Sequence, residues 1–414
     1  MLNQTSFCGF LLFMPYRILM FLVYVTLLTF SNIQAQDTSH LTVTWIENGD
    51  VLVWRTGDAA PSRYTSGSAL QSVLSSDGQY IAFYSPAPSS LWLITPTDPN
   101  PIEIVPNKAL ASSDTQYLHI GNLQRGANNT FYFNTYLQPS HITMQTGDLW
   151  MVDAAAKSYK QILSSGQAGS FSVSPDGQHI AIMQSGAYNT AEGKISLVDQ
   201  KGESRIDVLS FPAVSTASDY DFYPQINWLQ DSSGLDVAIP DKDLVYHDDT
   251  ALTSLWQISS DGAKTQRGMV QASFFGLPQW SSDGKYLAYL RHKGDITTNQ
   301  FEMIIAGGDG SNPAVYASGR AGNIGLPQWL PDSDQFIYAQ GEPGDYWLGQ
   351  IGQPPQQFPT KIFAPQFVDA NTYVFATASG DAFDLRFANL GETTSTLIAT
   401  VHNTVPVFNA VSVP

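Results

Sequence analysis

Ser75-Ser76-Asp77-Gly78-Gln79-Tyr80-Ile81-Ala82-Phe83 returns as Ser174-Pro175-Asp176-Gly177-Gln178-His179-Ile180-Ala181-Ile182, and again as Ser281-Ser282-Asp283-Gly284-Lys285-Tyr286-Leu287-Ala288-Tyr289. Looser copies occupy 230–238, 330–338 and 368–375. Each copy has one physical logic. Ser/Pro-Asp-Gly makes a tight turn, because Asp bonds its own backbone and Gly accepts positive φ. A strand with one apolar face is expected to lead out. A third strand follows in each unit, as in Ser90-Leu91-Trp92, Asp148-Leu149-Trp150 and Ser254-Leu255-Trp256, and then a fourth, as in Tyr159-Lys160-Gln161-Ile162-Leu163. Four antiparallel strands repeating about every 45 residues describe a β-propeller blade.

Counting from the strand before each turn places blades at 69–105, 116–163, 169–208, 223–270, 276–317, 325–358 and 363–400. The second of these has Asn122 to Asn129 in place of the turn consensus. Residues 41–66 form an incomplete blade, and the tail Val405–Val411 would supply its innermost strand. That closure would remove the open sheet edges. The fold class is therefore all-β, with residues 41–414 as a single propeller domain of eight four-stranded blades closed by the N- and C-terminal segments. The count falls to seven if 41–66 joins another sheet.

Leu277-Pro278-Gln279-Trp280-Ser281-Ser282-Asp283-Gly284-Lys285-Tyr286-Leu287-Ala288-Tyr289 resembles the repeat of the TolB-like β-propeller family, and Asp309-Gly310-Ser311 and Ser260-Asp261-Gly262 resemble its later turn. The resemblance spans nearly all of 69–400. It implies the fold and no particular activity, since proteins with this repeat include periplasmic partner-binding proteins, peptidase propeller domains and sugar-acting lyases. Because the repeat motif is structural, no functional residue carries over with it.

The 414 residues are 43% hydrophobic and 12% aromatic, enough for a large core. Acidic residues outnumber basic ones 36 to 19, a formal charge of -17. Such a surface repels phosphate backbones, so nucleic acid is excluded as the main partner. Near the start, Arg17 precedes the apolar run Ile18–Phe30 and the ending Ile33-Gln34-Ala35. This pattern reads as a secretory signal peptide over 1–35, cleaved after Ala35, with translation starting at Met1 or Met14. The competing reading is an uncleaved membrane anchor over Phe7–Phe30. Cleavage would leave no membrane span in the mature chain, and would place it in the periplasm, on the cell surface or outside. The one cysteine, Cys8, lies in this segment, so the rest of the chain has no disulfide or thiolate chemistry.

The chain has no Gly-x-Ser-x-Gly elbow, phosphate loop or His-Glu-x-x-His, and no pair of histidines at ligand spacing. Asp241, Asp243, Asp248 and Asp249 form a candidate calcium site, since hard cations favour several oxygen ligands. A solvated acidic hairpin tip is the plainer explanation, and no other cofactor is implied. A repeated Pro-Gln stands out at Gln225, Gln279, Gln328 and Gln366. Trp280, Trp329 and Phe367 follow the last three directly, and Trp228 lies three beyond the first. Strand alternation puts each glutamine on the face opposite its aromatic. The four are expected at equivalent places on innermost strands, their amides buried and bonded between strands. The other use of such an array is binding of hydroxyl or peptide groups. Surplus loop aromatics (Tyr188, Tyr220, Tyr223, Phe274, Phe275, Tyr346) would serve a partner surface.

These features point to an exported, non-catalytic propeller that binds a protein, peptide or glycan through its loop faces or central channel. The alternative is a carbohydrate-active lyase or hydrolase with an acid/base site in that channel. A histidine converging there with carboxylates would favour the enzyme, and an amide and aromatic lining would favour binding.

Overall fold

The computed structural model describes residues 40–413 except 65, 97, 114–115, 138–143, 188–190, 219, 248–249, 295–298 and 403–404. The signal or anchor segment therefore lies outside the described residues. No described helix is long and apolar enough to cross a membrane.

The repeated turn explains its own sequence. Ser75 Oγ donates to Asp77 Oδ1 (2.5 Å) and accepts the Tyr80 N–H (3.0 Å), while Asp77 Oδ1 also takes the Gln79 N–H (3.0 Å). The same three bonds recur within 174–179 and 281–286. Gly177 meets two demands at once. Its φ is 68°, and a Cβ there would lie 2.4 Å from the Ala127 backbone nitrogen of the neighbouring blade. Positive φ and close approach both call for glycine. The blade without the consensus turns instead over 126–130, where Asn128 and Asn129 take φ of 50° and 60°.

These turns join strands into eight blades, seven of which run from inner to outer strand in chain order. Numbered along the chain, blades 1 to 7 span 71–105, 119–163, 170–211, 226–270, 279–320, 328–357 and 363–402. Blade 8 joins the chain's two ends. Its order is Phe408–Val413, His40–Glu47, Asp50–Arg55 and Ser62–Tyr64, so the tail supplies the innermost strand. The count is eight. Blade 2 adds Met144–Gln145 beside Thr130–Leu137, and the ribbon Ala111–Ser113 with Gln116–Tyr117 lies between blades 1 and 2.

One expectation needs correcting. The strands leading out of the turns are apolar on both faces: all seven residues of Gly234–Pro240 are buried. The reason is geometric, because every blade is covered by a neighbour on each side. On Tyr286–His292, Leu287 and Tyr289 pack with blade 4, whereas Ala288 and Leu290 pack with blade 6. On Asp50–Arg55, Leu52 and Trp54 meet blade 7, while Val51 and Val53 meet blade 1. Among the described residues the apolar clusters number eight, one for each junction between blades.

The innermost strand of blade 8 is thus needed at two junctions. Ala410 packs toward blade 7 and Val411 toward blade 1, and Asn409 Oδ1 accepts the Leu74 N–H (3.1 Å). Deleting 404–414 is expected to uncover both junctions and lower the melting temperature by at least ~5 °C, a loss of several kcal/mol. Calorimetry giving an unchanged transition would show that the tail is dispensable.

Candidate functional site

Antiparallel order gives the propeller two unlike ends. Turns after the first and third strands of each blade, mostly tight Asp-Gly or Asn types, lie at one end. Connections after the second and fourth strands lie at the other; those after the second strand are long in blades 3 to 6 and only two residues in blades 1, 7 and 8. At the tight-turn end the innermost strands enclose a cavity of about 920 Å³. Its described lining includes residues from every blade but the fifth, among them Gln71, Gln124, Gln230, Gln366, Asn128 and Asn409, with Trp228 and Phe367. This is the mouth of the central channel.

Its rim is tied together turn to turn. The Asp176 N–H bonds Ser232 Oγ (3.0 Å), the Gln230 N–H bonds the Ser282 carbonyl (2.9 Å), and the Asp332 N–H bonds Ser282 Oγ (3.2 Å). Burial pushes the Asp176 carboxyl up, but bonds from Ser174, Gln178 and Ser232 outweigh it and hold the group below its ordinary range.

Strand register shows which side chains are equivalent. Gln279 pairs with Ala288, Gln328 with Ile337 and Gln366 with Val374, each just before its aromatic. In blade 4 the corresponding residue is Asn227, which pairs with Asp236. Gln225 lies two residues earlier, outside the strand and exposed, so the Pro-Gln dipeptide there is out of register. In blade 2 the place belongs to Gln124, which pairs with Tyr132. Asn409 fills it in blade 8, accepting from the next blade's backbone as Gln124 does. Reading back from the turn, instead of searching for a dipeptide, would have found five of the six; Asn409, on the tail strand with no turn after it, is placed by its bond to Leu74.

The six amides divide by partner. Gln124 Nε2 donates to the Phe171 carbonyl (2.9 Å) and its Oε1 accepts the Val173 N–H (3.3 Å), strapping blade 2 to blade 3. Gln279, Gln328 and Gln366 are half-buried or exposed, and their amides form no side-chain hydrogen bond among the described residues. The buried, bonded state expected of them is not what the fold provides. The aromatics pack between blades: Trp228 with blade 3, Trp280 with blade 4, Trp329 with blade 5 and Phe367 with blade 6. The indoles of Trp228 and Trp329 also donate to the Ser172 and Gln279 carbonyls (3.3 Å each).

The equivalent position in blade 2 holds Arg125, which pairs with Phe131 as Trp280 pairs with Leu287. Blades 1 and 3 have Leu74 and Val173 there. Arg125 is the one charged side chain in the described lining of the mouth. It reaches solvent yet is hemmed in by protein, and the resulting desolvation lowers its pKa.

Other polar groups have structural employment. Asp148 is fully buried and takes bonds from the Thr135 N–H and hydroxyl, Thr146 Oγ1 and the Trp150 indole. Asp236 is buried between blades 4 and 5 beside Arg267 (3.3 Å). Burial pushes its pKa up to about 6 even though Arg267 opposes the rise. Asp241 accepts the Asp243 N–H (2.9 Å) in a turn leading to the short helix Leu244–Tyr246. Asp248 and Asp249 lie outside the described residues, and the described ones contain no cluster able to hold a metal.

At the long-loop end, Tyr220, Tyr246 and Phe275 are exposed over blades 3 to 5, and Phe275 meets Phe274 edge-on at 5.2 Å. Burial, reinforced by the Asp221 carboxylate, pushes the neighbouring Tyr223 hydroxyl up to about 12. Tyr346 is half-buried against blade 7, and Tyr188 lies outside the described residues.

No family model matches the chain, and no curated protein does. Solved structures are similar in fold. Dipeptidyl peptidase 4 of Porphyromonas gingivalis superposes at a TM-score of 0.53 and 12% identity, over 79% of this chain and 52% of that one. The chain thus spans about half of that enzyme's length. A crystal structure described as the eukaryotic initiation factor gives 0.52 and 12%, over 89% and 87%. TolB from Acinetobacter baumannii gives 0.36 and 12%, over 90% and 67%. At these identities the likeness concerns the fold alone.

Two outcomes follow for the variants. Gln124→Ala would strand the Phe171 carbonyl and Val173 N–H, and is expected to lower stability by roughly 1–3 kcal/mol. Gln366→Ala should leave stability within about 0.5 kcal/mol, as at an ordinary surface site. Urea titration of both checks this, and equal losses would contradict the division between strap and free amide.

Asp236 sets a second expectation. Its native pKa exceeds its unfolded value, so its contribution is greatest below pH 4 and is lost as pH rises toward about 6. The difference from the ordinary 3.8 corresponds to roughly 3 kcal/mol. Wild-type stability minus that of Asp236→Asn should therefore fall between pH 4 and pH 6. A flat difference curve would rule this out.

Proposed function

We propose that this protein is an exported, non-catalytic propeller that binds a protein, peptide or glycan at the tight-turn mouth of its channel. The observation that carries the reading is the lining: amides from several blades, aromatic surface from Trp228 and Phe367, and a single charge. Amides offer donors and an acceptor together, which suits hydroxyl and peptide groups alike. The cavity of about 920 Å³ is within the size range of ligand sites. Acid–base catalysis asks instead for titratable groups near neutrality, and the described lining residues include no histidine or carboxylate. Export rests on the apolar run after Arg17 and the Ile-Gln-Ala ending.

The test is a combined glycan and peptide array, probed with wild type, Gln366→Trp to obstruct the mouth, and Phe275→Ala at the opposite end. Binding that falls at least ~10-fold with Gln366→Trp and persists with Phe275→Ala supports the reading, because about 1.4 kcal/mol is tenfold. The reverse pattern would move the site to the aromatic loops.

A further inference from the structure

Resting on the channel-mouth reading, we propose that Arg125 makes this a site for a ligand carrying one carboxylate. The case starts from the repeat. The position Arg125 occupies is apolar in blades 1 and 3 to 7, held by Leu74, Val173, Trp228, Trp280, Trp329 and Phe367. Its place in the fold calls for a residue that packs between blades. A guanidinium does that job poorly, since enclosing a cation loses hydration.

Arg125 regains none of that loss within the protein. Its guanidinium has no ion pair and no hydrogen bond among the described residues. Arg125 is exposed to the cavity, and Arg55, half-buried, likewise has no side-chain partner among the described residues, but three other half-buried arginines are paired. Arg267 meets Asp236, Arg291 meets Glu302, and Arg386 meets Asp384. In a chain with 36 acidic residues, a cation that lines a cavity and forms no ion pair among the described residues is available to something from outside. Arg offers a planar fork that takes a carboxylate or phosphate through two parallel bonds.

The rim decides between those anions. Asp77, Asp176, Asp231 and Asp283 stand in the turns around the mouth, and hydrogen bonds help hold Asp176, Asp231 and Asp283 in their charged forms. A doubly charged phosphate or a polyanion entering past them meets more repulsion than a single carboxylate does. The unbonded amide of Gln366 would take the neutral remainder of the ligand. One carboxylate beside hydrogen-bonding groups has two sources, an acidic sugar or an acidic peptide.

Calorimetry on the whole protein with acetate and acetamide tests the charge. A disaccharide containing glucuronic acid against its glucose counterpart, and a Glu tripeptide against its Gln twin, distinguish the sources. Acetate should bind saturably and acetamide should not. One larger carboxylate should bind at least ~10-fold tighter than its neutral twin, as a charge-assisted bond allows. Arg125→Leu, the residue blade 1 uses at this place, should erase that difference at an unchanged melting temperature. Should that variant misfold, the paired ligands still decide on wild type. Acetate and acetamide binding alike, or not at all, overturns the proposal, and so does inorganic phosphate binding tighter than acetate. Array ligands that are neutral and indifferent to Arg125→Gln would sink the carboxylate inference while leaving the binding function standing. Acetate binding without any array ligand would do the opposite.

Discussion

A sheet that is apolar on both faces has no stable free surface, and every blade of this protein is such a sheet. Val51 and Val53 point one way from their strand and Leu52 and Trp54 the other, and both pairs are buried. Each blade therefore needs two neighbours, and a row of blades is stable only as a ring. The ring has to close somewhere, and here Phe408–Val413 pairs beside His40–Glu47 within one sheet. The channel and its mouth follow from that closure.

Much of this was legible in the sequence because the turn carries its own signature. Ser-x-Asp-Gly specifies three hydrogen bonds and a positive φ locally, so the copies mark the blades without any tertiary information. The third-strand tryptophans are equally local: Trp92 and Trp256 donate to Ser90 and Ser254 two residues back. The two-sided burial was harder to see. Val, Ile and Ala fill both faces of the second strands, so alternation between polar and apolar residues, the usual guide, is absent there.

The site was less legible, for a reason particular residues make plain. Pro-Gln is a conspicuous dipeptide, but strand register is set by hydrogen bonding to the next strand, and a shift of two residues moved Gln225 off the ring that Asn227 occupies. Gln124 and Asn409 share the ring's position but lack the proline, and so escaped notice. Arg125 was invisible for a related reason. Nothing marks it as unusual until the register shows that it stands where other blades place a hydrophobic side chain.

The turn-to-turn bonds around the mouth also govern how the opening behaves. Asp176, Gln230 and Asp332 each donate a backbone N–H across a blade junction, so the arcs from blade 3 to blade 6 are laced together. Such an aperture does not widen one loop at a time, because moving any turn breaks bonds to the next. Under the proposed reading, this arc of the rim would act as a stiff gauge: a guest would be sorted by cross-section before its chemistry is read, and would lose little entropy to ordering the host, since these parts are already in place.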